Sequence, residues 1–280
     1  MLNALMVEPP VTMESPNTVY TVFYWLFVAQ LVPAIGLLLF RAWRQRDGIP
    51  VGALLGALAI GYLSPPILNH LTMVWFPSNI PFAYITAFGM RDPLFDWMGY
   101  ALFYGIGGFA TYTAIRRGGG VRAVYVSAGV WALADLLYEI PFLHFGMYTY
   151  YGNQPFEIGG FPLHWVVVNA MVPVITAVLM YLLVDRGTYP KRPWLRALGA
   201  APVAGVITVG AVMPVSVALH AHAPTIVIQI AAVATIVLAG SVIVVCAGMA
   251  KRFGTECDPA CLTAGPGVTS RDARTGVEPA

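Results

Sequence analysis

The sequence predicts an all-α polytopic membrane bundle of seven transmembrane helices, N-terminus outside and C-terminus cytoplasmic. Three observations predict it. The first is composition: of 280 residues, 58% are hydrophobic and only 10% charged, and the mean hydropathy is +0.72. A soluble domain is nearer to about a quarter charged, and this chain has too little polar surface to cover a water-facing globule. The second is a series of seven apolar runs, over residues 19–40, 51–71, 93–115, 121–142, 161–184, 195–219 and 225–250. Each is near the roughly 20 residues that a span needs. The third is the placement of charge. Fourteen of the 15 Lys and Arg residues fall in alternate loops and the C-terminal tail, and only Arg91 lies on the other side. Cytoplasmic loops collect Lys and Arg, which sets the orientation.

The elements follow in order. Residues 1–18 carry Glu8 and Glu14 but no Lys or Arg. A secretory signal starts positive and continues apolar, so no cleaved signal is expected and this segment is external. The second run contains Pro65-Pro66, which removes two backbone donors and is expected to break or kink the helix. Two external loops, 72–92 and 144–160, are long and rich in Pro, Gly and aromatics. They are candidates to cap a site, against the plainer reading of an interfacial aromatic belt. The membrane domain ends near residue 252. The stretch 253–280, rich in Gly, Pro, Thr and charge, is expected to be a disordered cytoplasmic tail. Cys246, Cys257 and Cys261 form neither a disulfide framework nor a zinc site.

Ionisable groups inside a bilayer cost roughly 2.5–3.5 kcal/mol each to insert, so those within or at the ends of the runs are the functional candidates. They are His70, Asp96, Asp135, Glu139, His144 and His164, joined by Asn69 and Asn169. The predicted orientation places all of them in the outer half or near the midplane. Asp135 and Glu139 are four residues apart and share one helix face. Two carboxylates there cannot both hold a charge cheaply, so the pair is expected to share a proton and supply one acid and one base. The alternative is a polar anchor between helices. The histidines lack any recognised metal-binding spacing, and no metal is expected. Nucleotide-binding glycine patterns and the nucleophile elbow are absent. Retinal attachment is rejected, because Lys191 and Lys251, the only lysines, sit at the cytoplasmic face.

Residues 134–152, ADLLYEIPFLHFGMYTYYG, resemble the fourth-span region of the AveC-like spirocyclases of actinobacterial membranes. Those proteins carry an acidic residue, a Glu-Pro-like pair and a Gly-aromatic-Tyr-Gly stretch. The resemblance extends over about residues 61–169, through Pro66 to Asn69, PLFDWMGYALFYG at 93–105 and GFPLHWVVVN at 160–169. Two positions depart from it: Ser64 stands where members have an acidic residue, and His164 and Trp165 stand where they place a Glu. A weaker likeness is to membrane carotenoid hydratases. The resemblance implies closure of a spiroketal from a hydroxylated ketone, with dehydration as a related activity.

Such chemistry needs a proton delivered to a departing oxygen and another taken from an attacking hydroxyl, with no cofactor. The expected catalytic residues are Glu139 as proton donor, Asp135 as its partner, with the two roles exchangeable, and His164 as a relay. Asn69, His70, Asp96, Trp97, Trp131, Tyr138, His144, Trp165 and Asn169 are expected around a lipophilic small molecule, where aromatic faces would stabilise a passing cation. Membrane lipid is the other expected partner, and nucleic acid is not. Two further readings stay open: a small proton-coupled transporter, which would need polar groups reaching both faces, and a non-catalytic scaffold. The expected location is the bacterial cytoplasmic membrane, and oligomeric state is left open.

Overall fold

The computed structural model describes residues 8–256 and is mostly helical. The long helices are α1 (Asn17–Gln45), α2 (Ile49–Leu71), α5 (Gly120–His144), α6 (His164–Met180), α7 (Pro193–His220) and α8 (Thr225–Glu256). Between α2 and α5 lie the short helices α3 (Leu94–Ala101) and α4 (Gly108–Ala114), joined by π-helical turns over Leu102–Gly107 and Ile115–Gly119. A third π-helical turn, Tyr181–Arg186, ends α6. Helix α8 reaches Glu256 and so takes in the first four residues of the expected tail. The rest of that tail, with Cys257 and Cys261, lies outside the described residues.

Six helical stretches are long and apolar enough to cross a membrane, and together they suggest a membrane-embedded protein. The expected third and fourth spans form one of these stretches, Leu94–His144, of 51 residues. The stretch does not run straight. Gly118 sits at φ +85° and Gly120 at φ +46°, a left-handed backbone that glycine adopts without a Cβ penalty. On either side of this corner α4 and α5 contact one another, and both pack on α6. The outer surface is strongly apolar, with Leu37, Leu137 and Val206 all at least 65% exposed. A bilayer covers such a surface favourably and water does not.

The expected break at Pro65-Pro66 is absent, and α2 runs uninterrupted through it. Proline at position 66 frees the carbonyl of Tyr62 from its usual i+4 partner. The Tyr84 hydroxyl donates to that oxygen at 3.4 Å, and tertiary structure thus supplies what the helix lost.

The helix ends sort into two groups. At one end Arg116 Nε meets Asp185 Oδ1 at 3.3 Å, and the α1–α2 corner at Gly48 packs on Trp194. At the other end the long loops form three two-stranded antiparallel pairs. These join β1 (Val74–Trp75) to β4 (Thr149–Tyr150), β2 (Ala83–Ala87) to β3 (Met90–Pro93) and β5 (Glu157–Ile158) to β6 (Phe161–Pro162). The first pair ties the two loops to each other, with Val74 opposite Tyr150 and Trp75 opposite Thr149. The N-terminal segment adds to this cap. The Ser15 amide donates to Asn79 Oδ1 at 3.0 Å, and the Tyr20 hydroxyl donates to the Met147 carbonyl.

Candidate functional site

A cavity of about 400 Å³ lies beneath the cap, lined from α1, α2, α3, the following π turn, α5, α6 and the two long loops. That is within the size range of small-molecule sites. Its walls are mainly aromatic and aliphatic, including Phe27, Phe95, Phe103, Trp131, Phe142 and Trp165. Trp131 fits because Gly107 faces it: a Cβ there would stand 2.7 Å from the indole. The π turn, which carries Leu102, Phe103, Tyr104 and Ile106 to the wall, is a form often found at functional sites.

Three carboxylates reach this cavity: Asp96 from α3, and Asp135 and Glu139 one turn apart on α5. Helix α5 ends at His144, so Glu139 and Asp135 stand about 8 and 13 Å along the axis from that end. Their donors are amides and phenols. Asn169 Nδ2 donates to Asp135 Oδ1 at 2.7 Å, and Asp135 Oδ2 is buried without a partner. Glu139 Oε2 accepts from the Tyr148 hydroxyl and from the Tyr150 hydroxyl, the latter at 3.3 Å. Burial, then the neighbouring Glu139 charge, pushes both phenols well above their ordinary range, so they remain donors at any physiological pH. Asn69 Nδ2 bridges two more carboxylates, donating to Asp92 Oδ1 at 2.9 Å and to Asp96 Oδ2 at 2.8 Å. Asp92 lies behind the cavity in β3. Burial pushes it up to about 6, against the opposing pull of the Asn69 amide.

The structure gathers most of the expected residues and leaves four aside. Asp135, Glu139, Asn69, Asp96, Trp131, Tyr138, Trp165 and Asn169 all line the cavity. His164, the expected relay, is fully buried with neither ring nitrogen partnered, and it is not part of the cavity wall. At the first position of α6 it precedes Trp165, whose ring takes the wall position instead. Trp97 serves packing: its indole N–H donates to the Leu58 carbonyl at 3.1 Å, fastening α3 to α2. His70 stacks on Phe88 at the capped end, 5.2 Å from the His220 ring, and His144 is exposed beside Phe145. No group of three or more His, Cys, Asp or Glu suited to a metal occurs among the described residues.

Sequence reasoning missed Tyr148 and Tyr150 as partners of Glu139, along with Asp92, Tyr104 and Thr208. Tyr104 donates to Thr208 Oγ1 at 3.2 Å, so α7 reaches the cavity through one hydroxyl despite its otherwise apolar sequence. The signal for the two tyrosines was their alternation with Thr149, the two-residue period of a strand. Thr208 carried no signal, since a lone Thr in an apolar helix most often bonds its own i−4 carbonyl, as this one also does with Ala204 at 2.9 Å. No protein family matches this chain, and neither a characterised protein nor a solved structure is significantly similar to it.

Proposed function

We propose that this chain is a multi-pass enzyme of a bacterial cytoplasmic membrane, catalysing cofactor-free acid–base cyclisation or (de)hydration of a lipophilic polyketide- or terpenoid-like molecule. The AveC-like spirocyclase resemblance of residues 61–169 points the same way. The chain crosses seven times, N-terminus outside. As one straight helix, Leu94–His144 would be about 76 Å long, more than twice the roughly 30 Å hydrocarbon core, and it turns back at Gly118. Fourteen of 15 basic residues then share the cytoplasmic side or the tail beyond it.

The single observation that carries the reading is the unequal supply of donors to a carboxylate pair inside an apolar cavity. Two phenols on one oxygen favour the charged form of Glu139. Asp135, with one amide donor and a bare buried oxygen, is the better holder of a proton. Of the two assignments that the sequence leaves open, this favours Asp135 as the acid and Glu139 as the base. In spiroketal closure one substrate hydroxyl adds to the ketone to give a hemiketal. Asp135 protonates the hemiketal oxygen, the C–O bond breaks and water leaves. Trp131 and the neighbouring ring faces stabilise the oxocarbenium. The second hydroxyl attacks that carbon while Glu139 takes its proton. The proton returns from Glu139 to Asp135, one turn away, and the cycle consumes none. Hydration and dehydration use the same two roles.

The test is mass spectrometry of lipid extracts from cells carrying the wild-type chain, the Glu139→Gln variant or neither. A pair of compounds that are isomers or differ by one water, and that tracks the wild-type chain alone, supports the reading. A pair that persists in folded Glu139→Gln refutes the assigned chemistry. Proton flux through liposomes bearing the purified chain would move the reading to transport.

A further inference from the structure

The cavity wall has a seam between α1 and α5. Helix α1 packs along α2 and α3, and α5 along α6 and α8. Across the seam the two helices meet through side chains in an antiparallel register. At the outer end Phe23 meets Phe142 and Phe145, with ring centroids 4.7 and 5.9 Å apart, and Phe27 stacks on Tyr138 at 5.4 Å. Deeper, the Tyr138 hydroxyl donates to Gln30 Oε1. One turn deeper again the same register brings Ala34 level with Ala134. Both line the cavity and neither carries anything beyond a Cβ. Farther from the cap α1 meets α4 instead, where the Arg41 guanidinium lies 5.6 Å over the Phe109 ring.

Gln30 is the sole amide or charged side chain within residues 19–40. It is exposed on the apolar flank, and it also lines the cavity. One residue therefore touches both the outside and the inside. A polar side chain facing lipid is costly, and here its amide is satisfied by the Leu26 carbonyl at 3.1 Å and by Tyr138. Leu37 and Leu137 flank the same seam at 66% and 65% exposure, so what lies outside the gap is hydrocarbon.

We infer that the gap between α1 and α5, bridged by Gln30 and Tyr138 and left open at Ala34 and Ala134, is a lateral portal through which a bilayer-dissolved hydrocarbon chain enters the cavity. The ligand class is an amphiphile whose apolar part lies in the membrane and whose oxygen functions reach the carboxylates. On the capped side the β1–β4 pair and the bond from Tyr20 to Met147 cross over the cavity. The inference rests on the membrane-embedded reading and not on the acid–base chemistry.

Photolabelling in proteoliposomes tests it. A phosphatidylcholine with an alkyl diazirine in its acyl chain is compared with a water-soluble diazirine bearing a quaternary ammonium. On illumination each loses dinitrogen, and the reactive carbon takes a carboxyl proton and forms an ester with that carboxylate. Mass spectrometry is expected to place ester adducts of the lipid probe on Asp96, Asp135 and Glu139, in excess over the water-soluble probe. Ala34→Trp, which fills the portal, is expected to lower those adducts at least about tenfold, a loss of about 1.4 kcal/mol in access. Val32→Trp, on the opposite, exposed face of the same helix, should leave them unchanged. Insertion at Leu137 reports that each variant is folded. Cavity adducts from the water-soluble probe alone would overturn the portal, as would adducts that survive Ala34→Trp with Leu137 labelling intact. The two-probe comparison needs only the wild-type chain, so a misfolded variant does not remove the test. Labelling reports access whether or not the protein turns anything over, and loss of the proposed activity leaves this result standing.

Discussion

A single carboxylate at one end of the bundle and a pair in the cavity toward the other are neutralised in different ways. At the end where the Arg-bearing corners meet, Asp185 pairs with Arg116 at 3.3 Å, the two side chains 13% and 28% exposed. In the cavity, Asp135 and Glu139 face an amide and two phenols instead. A cation fixes a carboxylate in one charge state. Neutral donors leave it able to gain and lose a proton. The Arg116–Asp185 pair is thus suited to holding helices together, and the cavity pair to moving protons.

The largest expected effect breaks or sustains that contrast directly. Asp135→Asn and Glu139→Gln should each lower turnover at least about 10³-fold, in line with losing general acid or base catalysis. Asp185→Asn should stay within about twofold of wild type per folded molecule. Assays on detergent-purified variants with matched circular dichroism check this, and equal losses at both ends would erase the distinction.

The next effect concerns Asp92, in the cap beside Asn69. Burial lifts it from 3.8 to about 6. Between those values the folded chain keeps a proton that the unfolded chain has released. Its contribution is therefore full below about pH 4 and is lost as pH rises to about 6, by up to about 3 kcal/mol. Melting in detergent should show a lower Tm at pH 7 than at pH 4.5, and Asp92→Asn should flatten that slope. An unchanged slope in the variant would assign the pH dependence elsewhere.

Smaller still is the effect of the two phenols. Tyr148→Phe with Tyr150→Phe should lower kcat about 10–100-fold with KM little moved, because both donors act on charge at Glu139. It should also shift the acidic limb of the kcat–pH profile, which reports the base Glu139 and which simple loosening of the cap would not move. Last comes Arg116→Ala, expected to destabilise the fold by about 1–2 kcal/mol, between the values for exposed and buried pairs. Its turnover per folded molecule should be unchanged, as read by Tm alongside activity.

Much of the site was legible in the sequence because its main parts are local. Asp135 and Glu139 share a helix face by spacing alone, and their insertion cost marks them whatever surrounds them. Asn69, Asp96 and Asn169 were found by the same reasoning. Local pattern falls short where polarity is ambiguous. His164 has the chemistry of a relay, but a residue's place on the first turn of α6 depends on how the β5–β6 hairpin enters that helix. Pro65-Pro66 reads as a break or a kink, and α2 continues through it, with Tyr84, 22 residues away, donating to the Tyr62 carbonyl.

The sequence by itself determined the helical, apolar class of the protein, the apolar stretches, the alternation of basic residues between loops and the shared helix face of the acidic pair. These follow from composition and short-range spacing alone. Tertiary structure alone decided which side chains from distant stretches share a cavity. It brought Tyr148 and Tyr150 onto Glu139 through the pairing of β1 with β4, set Thr208 of α7 in the wall, and left a gap between α1 and α5. Those outcomes depend on strand register and helix packing between residues up to about a hundred positions apart, and no local pattern encodes them.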